Sequence, residues 1–261
     1  MKNLGLQLFT IRDFMKSEED IDRSFARLAE LGYTEGQTAG LPAVCDEVFA
    51  SLAKKHGIDI VGTHYVWDKI VNEPDAVRKT HEIWGTKNIG IGGMPPEARG
   101  NYDSLMKFIE QFNASAALYA KDGYKLTYHN HSFEFVRVNG NKTIMDYLYE
   151  ELDPVNTSFV LDTCWVAHGG ADVRYWMEKL AGRIDILHLK DIKVFHNEEG
   201  KIEGTMTEIG NGNIYWDGVM ETAEKIGVRS YVVEQDKNFI DNDPFKSLKV
   251  SADYLAKYIC R

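Results

Sequence analysis

Cysteine is scarce in this 261-residue chain, and the three present, Cys45, Cys164 and Cys260, are odd in number and share no close spacing. That pattern indicates neither a disulfide framework nor a cysteine-based zinc cluster, so all three are read as reduced, structural thiols. No stretch approaches the roughly 20 apolar residues that cross a bilayer. The opening MKNLGLQLFTIRDF turns polar too soon for a signal peptide, and the expected compartment is the cytoplasm. Basic residues are in deficit, 30 against 40 acidic ones, and a net charge of -10 repels nucleic acid and anionic membranes alike. A small molecule suits such a chain better as a partner, and assembly as a homo-oligomer or with an accessory subunit stays open. Also missing is a glycine-rich phosphate loop after the first apolar run, where Thr10-Ile11-Arg12-Asp13 stands instead, which disfavours a doubly wound nucleotide-binding sheet. No linker, low-complexity tract or repeat divides the chain, so residues 1–261 are read as one domain.

What is present is a rhythm. Short β-rich runs alternate with longer amphipathic stretches throughout, and the hydrophobic content of 44% supports one substantial core. Eight runs are predicted as strands: Leu4 to Phe9, Tyr33 to Thr38, Ile58 to His64, Asn88 to Gly92, Lys125 to His129, Ser158 to Asp162, Ile184 to Leu189 and Ser230 to Gln235. Between them, Ile21, Phe25, Leu28 and Leu31 line one helix face, and similar faces recur at 102–121, 172–181, 215–227 and 244–258. Gly32, Gly57, Gly123 and Gly227 stand where helix C-caps precede strands. The fold class read from this pattern is α/β, a (β/α)8 TIM barrel.

In such a barrel the chemistry gathers at the C-terminal ends of the strands. Polar residues end the runs consistently: Gln7, His64, His129-Asn130-His131 with Glu134 close behind, Asp162, His188 and Glu234. Apolar residues lead directly into the last three, so a bare charge there is expensive to desolvate, and a shared cation relieves the cost. Carboxylates and imidazoles suit manganese first, with magnesium, cobalt and zinc as alternatives. A single Asp ending a strand is more often a helix N-cap than a ligand, but four independent caps would have to coincide here. His56, His81, His168 and His196 are read as surface or hydrogen-bonded residues without a role.

Leu4 to Asp13, Leu31-Gly32-Tyr33, Tyr128 to Phe135, Val160 to Thr163, Leu187 to Asp191 and Ile209 to Asn213 together resemble the xylose isomerase-like barrels, in particular the sugar phosphate isomerase/epimerase family and its His-Asn-His subgroup. The resemblance runs along almost the whole chain. It implies one divalent metal ion held by Glu134, Asp162, His188 and Glu234, with His129 or His131 as the alternative to Glu134. Gln37 departs from relatives that carry Glu near the end of strand two.

The implied substrate is a carbohydrate carbonyl compound, and the expected activity is isomerisation or epimerisation by proton abstraction through a metal-stabilised enediolate. Glu134 and Glu234 would act from opposite faces, with His131 and His64 as alternative acid or base groups. A leaving group β to the carbonyl would turn the same machinery into a lyase or dehydratase acting on a keto-inositol or an oxidised glycoside. Gln7, His64, His129, Trp165, Lys190 and Glu208 are expected to bind substrate, and Phe9, Tyr65, Trp67 and Trp165 to form an aromatic wall at the mouth. An endonuclease IV-like nuclease is a rival that the acidic balance and the few histidines oppose.

Overall fold

The computed structural model describes residues 3–40 and 42–259. Its strands in chain order are β1 (Leu4–Gln7), β2 (Glu35–Ala39), β3 (Asp59–His64), β4 (Asn88–Ile91), β5 (Lys125–His129), β6 (Thr157–Asp162), β7 (Ile184–Leu189), β8 (Asp191–His196), β9 (Ile202–Thr207) and β10 (Ser230–Val233). All but β8 and β9 belong to one parallel sheet of order β3-β2-β1-β10-β7-β6-β5-β4, and those eight are the eight runs read from the sequence. The helices are α1 (Glu18–Glu30), α2 (Asp46–Lys55), α3 (Trp67–Asn72), α4 (Pro74–Trp84), α5 (Tyr102–Ala120), α6 (Ile144–Glu151), α7 (Thr163–His168), α8 (Val173–Lys179), α9 (Trp216–Ile226) and α10 (Pro244–Ile259). No helix among the described residues is long and apolar enough to cross a membrane.

The sheet nearly closes on itself between β3 and β4. At that seam Tyr65 N donates to Gly90 O at 2.7 Å and Asn88 Nδ2 to Val61 O at 2.9 Å. Gly90 has to be glycine: a Cβ there would lie 2.1 Å from the Thr63 carbonyl oxygen. The resulting (β/α)8 barrel has helices outside and a small plug inside, as strand alternation requires.

That alternation creates two cores. Outward residues such as Leu6, Tyr128, Leu161, Leu187 and Val233 pack beneath the helices in the larger one. Inward residues Val160, Ile186 and Val232, with Val61 against them, form a separate small cluster in the barrel. Two residues further along the same strands come Asp162, His188 and Glu234, so the polar layer stands directly on an apolar floor. Each floor residue contributes about 2 kcal/mol by burial, whereas the layer above it costs energy unless its charges are paired.

Helix ends follow sequence chemistry. Ser17 caps α1 by accepting from Asp20 N at 3.1 Å, and Asn101 with Ser104 forms a reciprocal capping box at α5. Gly32, Gly57, Gly123 and Gly227 have φ of 86, 68, 76 and 75°, the left-handed values that C-caps demand. Strand one ends at Gln7, two residues earlier than expected, because the Gln7 side chain accepts from Phe9 N and turns the chain into a 3-10 segment over Leu8–Phe14. The β8–β9 hairpin was not read from the sequence; it projects Val194 and Ile202 into solvent. Cys164 is buried in α7, but Cys45 is exposed and packs in no core, which corrects its reading as structural; Cys260 lies outside the described residues.

Gly90→Ala is expected to pry open the β3–β4 seam and destabilise the fold by about 3 kcal/mol, as overpacking against backbone does. Urea unfolding of the variant checks this, and an unchanged midpoint would mean that the seam yields freely.

Candidate metal centre

Donor atoms of His129, Asp162, His188 and Glu234 all lie within 4.8 Å of one another, and all four residues are buried. Their convergence is dictated by register: Asp162 pairs with His188 across β6 and β7, and Val232 pairs with His188 across β7 and β10, which brings Glu234 alongside. Glu134, expected among them, is elsewhere. Its carboxylate accepts from Tyr128 Oη at 2.8 Å and from His131 N at 2.7 Å, fully buried behind the mouth, and His129 stands in its place in the group. The reason is local: the chain turns after His129, and a short 3-10 turn at Phe133–Phe135 folds Glu134 back onto strand five.

Asp162 performs both tasks that its position suggested. One oxygen caps α7 by accepting from Trp165 N at 2.9 Å, and the other faces His129 Nε2 at 3.4 Å and His188 Nδ1 at 3.6 Å. Its backbone is held by Asn130 Oδ1, which accepts from Asp162 N at 2.9 Å. His188 Nε2 donates to Gln37 Oε1 at 2.5 Å, a contact that orients the ring and turns Nδ1 toward the carboxylates. Nδ1 then lies 2.9 Å from Glu234 Oε2, which also faces the Lys190 ammonium at 3.2 Å; burial pulls the His188 imidazole down, but Glu234 and Asp162 outweigh it and hold its pKa above the usual value. Two imidazoles and two carboxylates are the donor set that divalent manganese, cobalt or zinc takes, so the residues present fit such an ion.

Lys190 completes the charge balance. Its ammonium lies 2.8 Å from Asp236, 3.2 Å from Glu234 and 3.7 Å from Asp162, and 4.9 Å from the centre of the Trp165 ring. Burial pulls this ammonium down, but the carboxylates of Glu234, Asp162 and Asp236 outweigh it and hold its pKa above the usual value. Burial likewise opposes ionisation of Asp162 and Glu234, and the Lys190 charge with the neighbouring imidazoles keeps both pKa values low. Burial, then the neighbouring His129, drives His131 down to about 3, so that ring is neutral at pH 7.

The remaining candidates divide. Gln7 and His64 sit at the mouth, bonded to each other at 3.3 Å, and Trp165 stands 5.5 Å from the His131 ring. Glu208 is not at a substrate surface: it is buried, accepting from Ser247 Oγ at 2.7 Å and Thr207 Oγ1 at 3.0 Å, and so ties the end of β9 to α10. Tyr65 and Trp67 also turn away from the mouth, into the outer core against Trp84 and against Phe108 with Phe112, whereas Phe133 stacks on His131. The 210–213 segment is no free turn. Asp191 accepts from the backbone N–H of Ile192, Gly210, Gly212 and Ile214 and from Trp216 Nε1, and a Cβ on Gly212 would meet that carboxylate at 2.1 Å. Sequence reasoning missed Asp236 and Asn130 as partners of the site; Asp236 follows Glu234 at a strand end, which was the available signal. Of the histidines given no role, His81 is buried with both nitrogens bonded and His56 pairs with Asp22.

A family model described as the xylose isomerase-like TIM barrel matches residues 25–258. An inosose dehydratase of Mesomycoplasma hyopneumoniae is 24% identical, the match covering 97% of this chain and 94% of that protein. A sugar phosphate isomerase/epimerase structure from Parabacteroides distasonis superposes with a TM-score of 0.81 at 23% identity, over 99% of this chain and 95% of that one. An L-ribulose 3-epimerase structure gives 0.75 at 16% identity, over 99% and 95%, and at such identities both likenesses concern the fold.

Burial raises the Glu134 carboxyl from 4.5 to about 7 despite its two donors. Between those values the folded chain holds a proton that the unfolded chain releases, so this contribution to stability is complete below 4.5 and is lost as pH rises through 7. Glu134→Gln lacks the loss, and its stability relative to the parent is expected to grow by up to about 3 kcal/mol from pH 4.5 to 8. Paired urea titrations read the difference; a flat difference would show that Glu134 titrates normally.

Proposed function

This chain belongs to the xylose isomerase-like TIM-barrel family, and from that membership and the site we propose that it is a divalent-metal-dependent enzyme that dehydrates a polyhydroxylated ketone. His129, Asp162, His188 and Glu234 would hold the ion, manganese first, which when bound polarises the carbonyl and its neighbouring hydroxyl as a Lewis acid. The observation that carries this reading is the convergence of the buried donor atoms of His129, Asp162, His188 and Glu234 within 4.8 Å of one another.

The acid and base groups favour elimination. Epimerisation needs a proton acceptor on one face of the carbon and a donor on the other, and Glu134, expected for one of those roles, is bonded behind the mouth. Elimination needs one base and one acid, and Glu234 with Lys190 supplies that pair 3.2 Å apart. Glu234 takes the proton next to the carbonyl, the C–H electrons form the new C=C bond, and the β C–O bond breaks. The hydroxyl leaves as water with a proton from Lys190. Neutralising Glu234 weakens the hold of the carboxylates on the Lys190 ammonium at that moment, and the proton on Glu234 then restores Lys190. The dehydratase that matches 97% of the chain supports the same direction. Epimerisation is the second reading, favoured by His131, whose Nδ1 is buried without a partner beside the Trp165 ring.

Incubation of the manganese-loaded protein in D2O with keto-inositols, oxidised glycosides and ketoses separates the readings: enone absorbance reports elimination, and deuterium at the α carbon without it reports epimerisation. Lys190→Met is expected to slow dehydration by roughly 10²–10⁴ while α-proton exchange persists, since it removes the acid and leaves the base. Equal loss of both would remove Lys190 from that role. Glu234→Ala is expected to abolish manganese binding and turnover while circular dichroism shows a folded barrel, and turnover undiminished in that variant sinks the proposed centre.

A further inference from the structure

The barrel mouth has two unlike sides. On β6, β7 and β10 stand the carboxylates and His188, whereas on β1, β2 and β3 stand the amides of Gln7 and Gln37 and the ring of His64. Amides and imidazoles have no fixed polarity until a partner of known polarity orients them. One such partner is present. The Phe9 backbone N–H, which only donates, lies 3.3 Å from Gln7 Oε1. The other end of that amide is therefore the NH2 group, and both its hydrogens are used, one on Gln37 Oε1 at 3.0 Å and one on His64 Nδ1 at 3.3 Å. Gln37 Oε1 receives a second hydrogen bond, from His188 Nε2 at 2.5 Å.

Proton positions on two rings follow by exclusion. His188 is protonated on Nε2, which leaves Nδ1, 2.9 Å from Glu234 and 3.6 Å from Asp162, as the ring atom available to a cation. His64 accepts at Nδ1 and is protonated on Nε2, and that N–H is buried without a partner, as is the NH2 group of Gln37. The His64 ring stands 4.7 Å from His129 and 5.6 Å from His188, so its free donor belongs to the same chamber as the candidate ligands. Unused buried donors cost free energy unless something accepts from them.

We propose that Gln7, oriented by the Phe9 N–H, sets both imidazoles at once: it keeps a proton of His188 on Nε2, leaving Nδ1 for the cation, and makes His64 Nε2–H a donor for the carbonyl oxygen of the substrate. This inference rests on the metal-assisted carbonyl reading above. A donor suits an atom that only accepts, so a ketone oxygen is selected and an ammonium or amide N–H at that position is rejected. As the α proton leaves, negative charge grows on that oxygen and the hydrogen bond strengthens, which is where transition-state stabilisation arises. Gln7 and Gln37 are positioning residues, whereas His64 meets the reacting oxygen.

Long-range 1H–15N spectra of 15N-histidine-labelled protein read the tautomers without any substrate. His64 is expected as the Nε2–H form, and His188 is expected to carry a proton on Nε2. In Gln7→Glu the side chain only accepts, so the His64 proton is expected to move to Nδ1, and Gln37 to turn its NH2 group toward residue 7 and withdraw its oxygen from His188. Zinc affinity is then expected to fall at least about tenfold, the usual cost of losing a ligand's orienting partner. His64→Phe is expected to lower kcat by roughly 10²–10³, the range for losing one oxyanion donor, with little change in zinc affinity. His64→Gln, which keeps an N–H donor, is expected to recover most of that loss. A wild-type His64 protonated on Nδ1, or rings unmoved in Gln7→Glu, overturns the proposal, and the wild-type spectrum decides even if the variant does not fold. Zinc added to the same sample reports separately on the cation: a His188 Nδ1 signal that zinc does not shift removes the metal reading, while the tautomer assignment stands or falls on its own lines.

Discussion

The arrangement depends on one phase relation. In β6, β7 and β10 an inward apolar residue is followed two positions later by an inward polar one, Val160 by Asp162, Ile186 by His188 and Val232 by Glu234. Because the side-chain period of a strand is two, this places a charged layer on a dry floor in three adjacent strands at one height. A one-residue slip in any of them would send its polar group into the helix-facing core and its core residue into the mouth. Register and chemistry are therefore the same constraint.

A layer of that kind is stable only if its charges are mutually compensated, and the surroundings are built for it. Lys190 lies among three carboxylates, Asn130 holds the Asp162 backbone, and Gln37 holds His188. Just beyond, Asp191 is enclosed by N–H donors from the 210–216 segment, which rigidifies the rim between β9 and α9. Breaking such a buried pair by removing one partner costs several times more than the pair itself contributes, so each supporting group is tied to the survival of the site as well as to its geometry.

The mouth is asymmetric, and the asymmetry carries the functional reading. Carboxylates and an ammonium occupy the β6, β7 and β10 side, whereas neutral amides and imidazoles occupy the β1, β2 and β3 side. A ketone held between them would meet its base on one side and hydrogen-bond donors on the other. The same barrel supports different reactions in different relatives, and the choice among them lies in which groups stand around the carbon next to the carbonyl. In the dehydratase reading proposed above, the withdrawal of Glu134 behind the mouth would leave Glu234 as the base with Lys190 as the adjacent acid.

Strand positions, the barrel class and the residues Asp162, His188 and Glu234 were legible in the sequence, because period-two alternation and the polar residue ending each run are local properties of the chain. The glycine C-caps were legible for the same reason: a left-handed φ is required at a single residue. The place of Glu134 was not legible. It sits five residues beyond His129, and only the turn over 133–135, closed by Tyr128 and by the backbone of His131, decides that its carboxylate points away. Tyr65 and Trp67 were misplaced similarly, since an aromatic residue just after a strand packs inward or lines a mouth according to what the neighbouring helices offer. The partnership of Gln37 with His188 was out of reach, because the two meet across 151 positions of chain, whereas Asp236, two residues past Glu234, carried a local signal that was passed over. Local periodicity thus determined which residues end the strands, and tertiary closure alone decided which of their atoms face one another.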